Sequence, residues 1–247
     1  MKVAGFQGRA LKDSLWACAR ATTKTSFSTA LSKFRELDEE AYQWLGDKDP
    51  KEWSRSHFST VSHSDMLVNN ICESWNSALL GAREKPIIDC LETIRKMLMA
   101  KFFEQRQKAA GWNSVICPKI VGKMKQIEKQ AARYLATQCD FFKFEVQHLY
   151  GDQQEVDLEN KKCSCRKWDL TGLPCKHAVC AIWKKNGNGA VYDFVHPCYS
   201  KETYLKIYKA SINPMAGPDE WPISAQSPLL PPIYSAKKAY TIALLPL

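Results

Sequence analysis

Two short pairs, Cys163-x-Cys165 and Cys175-x-His177, stand nine residues apart and constrain this chain more than any other feature in it. Three thiols and an imidazole are soft or borderline donors, and four of them in two tight pairs ask for zinc in a closed tetrahedral site. Such a zinc is structural, because no position is left open. The first pair, ending an extended run, presents both sulfurs to one ion; the second does the same from the start of a helix. Between them Gly172 permits a tight turn, and Pro174 presets the backbone before a helix expected over 176–185. The competing reading is a set of unrelated buried thiols, since free cysteine is among the most buried residue types. A redox Cys-x-Cys needs neither the second pair nor His177. Cys180, about one helical turn past His177, reads as a packing residue, and Cys18, Cys72, Cys90, Cys117, Cys139 and Cys198 have no mutual metal spacing.

With 247 residues and 45% hydrophobic content, the chain has room for one large or two small domains with ordinary cores. No run reaches the roughly 18 apolar residues of a membrane span, and the basic start lacks the apolar core of a secretory signal. The expectation is an intracellular protein with no membrane partner, its ten cysteines reduced. Thirty-five Lys and Arg against 26 Asp and Glu give a net charge of +9, which favours polyanionic partners.

Helical spacing opens the chain. Leu11, Leu15 and Ala19, then Phe27, Leu31 and Phe34, then Ala41, Trp44 and Leu45 imply three short helices, the second capped by Thr25 or Ser26. Trp53 and Phe58 are expected to seat a loop on the core, with His57 and His63 packed or solvated. Asn70 is placed to cap a helix carrying Glu73, Trp75 and Asn76; by itself an early helical Glu complements the helix dipole. An amphipathic helix follows over 87–107, with Ile87, Leu91, Ile94, Leu98 and Phe102 on its stripe. A basic helix runs from Pro118 to about Thr137, with Leu135 inward and Lys119, Lys123, Lys125, Lys129 and Arg133 outward. Alternation then takes over. Phe142, Phe144, Val146 and His148 point one way, Gly151-Asp152 turns the chain, and Val156 and Leu158 resume the pattern into Cys163. A small antiparallel sheet stapled to a helix by zinc is the expected module, hardly able to fold without the metal. A further helix over 201–208 is expected to cover it with Tyr204, Leu205 and Tyr208, and the prolines beyond Ile223 argue for an irregular tail.

The segment CSCRKWDLTGLPCKHAVCAIW closely resembles the SWIM-type zinc finger of plant Mutator-like transposases. The likeness continues through LKDSLWACARATT, AYQWL, WSRSHFS, DMLVNNICESWNSALLGAREKPIIDCLETIR and ICPKI, so it spans roughly 8–222. What the resemblance implies is a mainly α chain with a small α+β zinc module: an incomplete, ribonuclease-H-like helical region over 1–138, a ββα SWIM-type module over 139–210 and a tail over 211–247. It makes Cys163, Cys165, Cys175 and His177 the zinc ligands. It makes Glu73 the third carboxylate of an Asp-Asp-Glu triad, holding Mg2+ only within a complete transposase. No candidate strand-borne aspartates appear, since Asp13, Asp38, Asp47, Asp49 and Asp65 sit in helical or loop contexts. The implied place is the nucleus, and the implied partners are DNA or transposase-associated proteins, with Lys119, Lys123, Lys129, Arg166, Lys167 and Lys176 offering charge. The implied function is a truncated, transposase-derived zinc-binding protein without a complete catalytic site. Two alternatives stay open: a domesticated transcription regulator, like the far-red-impaired-response proteins, or the C-terminal part of an active transposase. The tail departs from the family, which continues with a basic stretch where this chain has Ala236-Lys-Lys-Ala-Tyr.

Overall fold

The computed structural model describes residues 5–68 and 70–223. The predicted tail therefore lies outside the described residues from Ser224 onward. The chain divides into two units, Met1–Ile212 and Asn213–Leu247. Of the second, what is described includes a 3-10 turn over Pro218–Glu220 and the indole of Trp221 donating to the Ala216 carbonyl at 2.9 Å.

The first unit opens on the three expected helices, α1 (Arg9–Arg20), α2 (Lys24–Leu37) and α3 (Glu39–Gly46), followed by the short α4 (Pro50–Trp53). Leu11, Cys18, Phe27, Phe34, Ala41 and Leu45 pack into one buried cluster. Phe27 carries both Trp53 and His57 against its ring, at 5.6 and 5.0 Å between centroids, so Trp53 is seated on the core as expected and His57 packs beside it. The cap of α2 is Thr23, whose hydroxyl accepts from Ser26 N, rather than Thr25 or Ser26. Both of those lie within the helix, where their amides need the cap instead of supplying it.

An arm of helices comes next: α5 (Asn70–Ala78), α6 (Leu80–Arg83) and the 24-residue α7 (Ile87–Ala110). The stripe expected on α7 is only partly used, because Ile87 and Leu91 are exposed while Ile94, Leu98 and Phe102 are half-buried. What α7 does pack against is α11 (Lys201–Ile207). Tyr204 lies on Trp112 and bonds Gln105, and Tyr208 meets Phe102 edge-on. Lys201 Nζ donates to the carbonyls of Ala110 and Trp112, satisfying groups left open at the end of α7. This corrects the expectation that Tyr204 and Tyr208 cover the zinc module.

The basic helix α8 (Pro118–Ala131) starts at its proline but stops short of Thr137. Residues Tyr134–Gln138 form β1, and Leu135, expected inward on a helix, is 65% exposed on a strand. The reason is pairing: β1 lies antiparallel to β2 (Lys143–His148), Tyr134 opposite His148, and sheet hydrogen bonds outweigh a fading helical pattern. β3 (Gln153–Asp157) and β4 (Lys162–Cys163) complete a four-stranded meander in the order β1-β2-β3-β4. The sheet is thus broader than the two strands expected of a ββα unit, because β1 and β4 extend it on either side. Phe144, Val146 and Val156 are buried as alternation requires, against Met124 and Ala131 of α8 and Ala178, Val179 and Ile182 of α10 (Lys176–Asn186). This second core holds the metal site.

Candidate metal centre

Cys163 ends β4, and the chain leaves it through a tight knuckle. Ser164 is held against β3 by Ser164 N donating to the Glu155 carbonyl and Glu155 N donating to the Ser164 hydroxyl. Arg166 then adopts a left-handed φ of 59°, its N–H donating to the Cys163 carbonyl at 2.8 Å. That closure turns Cys165 back toward Cys163. The short α9 (Lys167–Thr171) ends at Gly172, φ 68°, whose N–H bonds the Trp168 carbonyl. The chain then passes through buried Leu173 and Pro174 to Cys175. Cys175 is the N-cap of α10, its sulfur accepting from Ala178 N, and His177 sits in the first turn. Amides at a helix start stabilise the thiolate that a metal needs.

All four donors are buried, and their ligand atoms lie within 4.8 Å of one another. His177 Nδ1 stands 3.6 Å from Cys163 Sγ and 3.8 Å from Cys175 Sγ. In a zinc tetrahedron with ordinary Zn–S and Zn–N bonds, the S···N edge is about 3.6 Å. The residues therefore fit the ion they were expected to hold. Cys180, buried nearby, donates its thiol to the Tyr134 carbonyl instead.

Three buried thiols so close cannot all ionise without a cation. Hydrogen bonds from Cys163 and Cys175 hold the Cys165 thiol well below its ordinary range. Its hydrogen bond to Cys165 pushes the Cys163 thiol up, and burial pushes Cys175 up to about 12. Zinc relieves this by taking the place of the protons that Cys163 and Cys175 keep.

A residue read from the sequence only as part of a turn closes over the imidazole. Asp152 Oδ2 lies 3.3 Å from His177 Nε2, 3.3 Å from Lys176 Nζ and 2.9 Å from the Tyr134 hydroxyl, while Oδ1 accepts from Gln154 at 3.1 Å. Burial opposes its charge, but bonds from Gln154, Tyr134 and His177 prevail and hold the carboxyl well below the usual carboxylate range. No local pattern distinguishes Asp152 from any other turn aspartate.

The basic residues separate into two kinds. Lys119, Lys123 and Lys129 stand exposed on α8 and Lys167 at the start of α9. Lys176 is drawn to Asp152 and Tyr134. The guanidinium of Arg166 is turned inward, with Nη1 and Nη2 donating to the carbonyls of Thr22, Ser56 and Phe58. Glu73 is exposed in the first turn of α5 and belongs to no cluster of three or more metal donors among the described residues. Among the described residues no helix is long and apolar enough to cross a membrane.

No curated protein and no solved structure matches the chain. Residues 148–186, from the end of β2 to the end of α10, match the family model described as SWIM zinc finger. The chain accordingly carries a SWIM zinc finger domain, within which Cys163, Cys165, Cys175 and His177 form a cluster suited to zinc.

Proposed function

We propose that this chain derives from a Mutator-like transposase and acts in the nucleus as a zinc-stapled module that holds nucleic-acid phosphates along α8 and the loop between the two ligand pairs. The observation that carries this reading is a cleft beside the metal site. Lys123 and Gln130 of α8 line it together with Lys167, Cys175 and Lys176, and the Arg55–Asp65 pair lines it too. Met124 and Ala131 bind α8 into the core that surrounds the zinc ligands, so the metal fixes the spacing of these residues. Among the described residues Lys119, Lys123, Lys129 and Lys167 enter no ion pair within the chain, so their charge stays available. The net charge of +9 acts in the same direction. Phosphate contacts of this kind position a duplex without reading its sequence. The helical region over 1–138 is, on this reading, a remnant of a ribonuclease-H-like domain, and Mg2+ has no part without carboxylates beyond Glu73.

Fluorescence anisotropy with a labelled duplex tests it. Binding should weaken steeply with salt, and replacing Lys123 and Lys167 by Ala together should lower the log–log salt slope by about two. No binding at low salt, or binding indifferent to salt, would overturn the proposal.

A further inference from the structure

Four ligands satisfy a zinc ion, yet they leave one face of the site unaccounted for. His177 is 2% exposed, and its ring uses Nδ1 toward the sulfurs. Nε2 points the other way, to Asp152 Oδ2. A metal-bound imidazole keeps a proton on its second nitrogen, and a buried N–H without an acceptor is costly. Asp152 is built into place to be that acceptor. The β2–β3 turn fixes its backbone, with His148 N donating to the Asp152 carbonyl at 2.7 Å and Gly151 at a φ of 102°. Tyr134 and Gln154 hold the carboxylate from either side, and the Tyr134 ring meets the His177 ring edge-on at 4.9 Å.

The charges explain the remaining member. Three thiolates outweigh the two positive charges of zinc, so a neighbouring carboxylate adds to a site already negative. Lys176, next in sequence to Cys175, brings its ammonium to Asp152 and over the Tyr134 ring at 4.6 Å, offsetting that charge. A lysine shared in this way serves the zinc site before it serves any polyanion.

We propose that Asp152 is the positioning residue of the zinc site: it accepts the Nε2–H of His177, fixes the ring so that Nδ1 is the metal ligand, and is itself held by Tyr134, Gln154 and Lys176. This rests on the assignment of zinc to the cluster.

The test uses the full chain loaded with zinc. Long-range 1H–15N spectra of the histidine rings should show His177 bound through Nδ1, with a slowly exchanging proton on Nε2. In a chelator competition Asp152→Ala should hold zinc about 10- to 100-fold more weakly, the usual cost of losing an orienting partner. Asp152→Asn, which retains an acceptor oxygen, should recover most of that loss and keep the Nε2–H signal. A wild-type spectrum with zinc on Nε2 would overturn the proposal whether or not any variant folds. So would an Asp152→Ala chain that binds zinc as wild type does with an unchanged Nε2–H signal. A wild-type chain that takes up no zinc would instead overturn the metal assignment itself.

Discussion

Arg166 reaches back 108 residues to donate from Nη2 to the carbonyl oxygen of Phe58 at 3.1 Å. Its Nη1 donates to the carbonyls of Thr22 and Ser56, and the Thr22 hydroxyl returns a bond to the Cys165 carbonyl at 2.8 Å. The residue that turns the chain between two zinc ligands is therefore also the one that fastens the N-terminal helices to the module.

Replacing Arg166 by Ala should lower the unfolding free energy by about 2 kcal/mol, the scale of hydrogen bonds to a charged group. Lys should recover little, because a single ammonium cannot span acceptors placed for a planar fork. Urea unfolding followed by tryptophan fluorescence measures both. A loss below about 0.5 kcal/mol would mean that the fastening is of no consequence.

Gly172→Ala should be destabilising by more than about 2 kcal/mol, since it combines a left-handed backbone with a clash. A Cβ at this position would stand 2.7 Å from the Cβ of His196, whose N–H is tied to the Gly172 carbonyl. The ring of His196 is itself packed on His63, so it has little room to yield. Thermal unfolding of the variant, compared with Gly189→Ala, where the added Cβ meets nothing, isolates the effect.

Thiol chemistry should sort the ten cysteines. Cys72, Cys139 and Cys198 are exposed and should react first with a disulfide reagent in the zinc-loaded protein. Cys18, which burial pushes up to about 11, should stay silent until unfolding. A chelator should release Cys163, Cys165 and Cys175 together. Elemental analysis should find no zinc in Cys175→Ser and one equivalent in Cys180→Ser; equal loss in both would refute the ligand set.

Zinc affinity should fall as pH falls. In the metal-free site the thiols of Cys163 and Cys175 are raised and keep their protons at neutral pH, while Cys165 is lowered and has lost its own. Binding must then displace two protons, so affinity should drop by about two decades per pH unit below neutrality. Competition with a chelator of known protonation at pH 6, 7 and 8 gives the slope. An affinity flat across that range would contradict the shared protonation of the thiols.

The chain by itself should neither cut nor join DNA with Mg2+ or Mn2+, because two-metal chemistry needs several convergent carboxylates. Asp38 and Asp49 cap helices, and Asp65 pairs with Arg55. Cleavage by wild type that vanishes in Glu73→Gln would mean that a complete site exists.

The ligand pairs were legible because each is local: one intervening residue fixes which side chains converge, and a helix start or strand end supplies the direction. The same holds for Phe144 and Val146, whose two-residue period alone puts them in the core. Where α8 ends was not legible. Leu135 continues the spacing of Ile127 and Ala131, and only the pairing of Tyr134 with His148 turns the segment into a strand.

Capping at Thr23, the docking of α11 on α7 and the inward turn of Arg166 share that origin. Each is settled by a partner that the local pattern does not specify. By itself the sequence determined which side chains form the cluster suited to zinc, since spacing and donor chemistry are properties of a few neighbouring residues. Tertiary structure alone decided what stands behind them. Asp152 reaches His177, and Arg166 reaches Phe58, because a ring nitrogen in the first case and a backbone carbonyl in the second needed a hydrogen-bond partner, and folding brought a polar side chain to it.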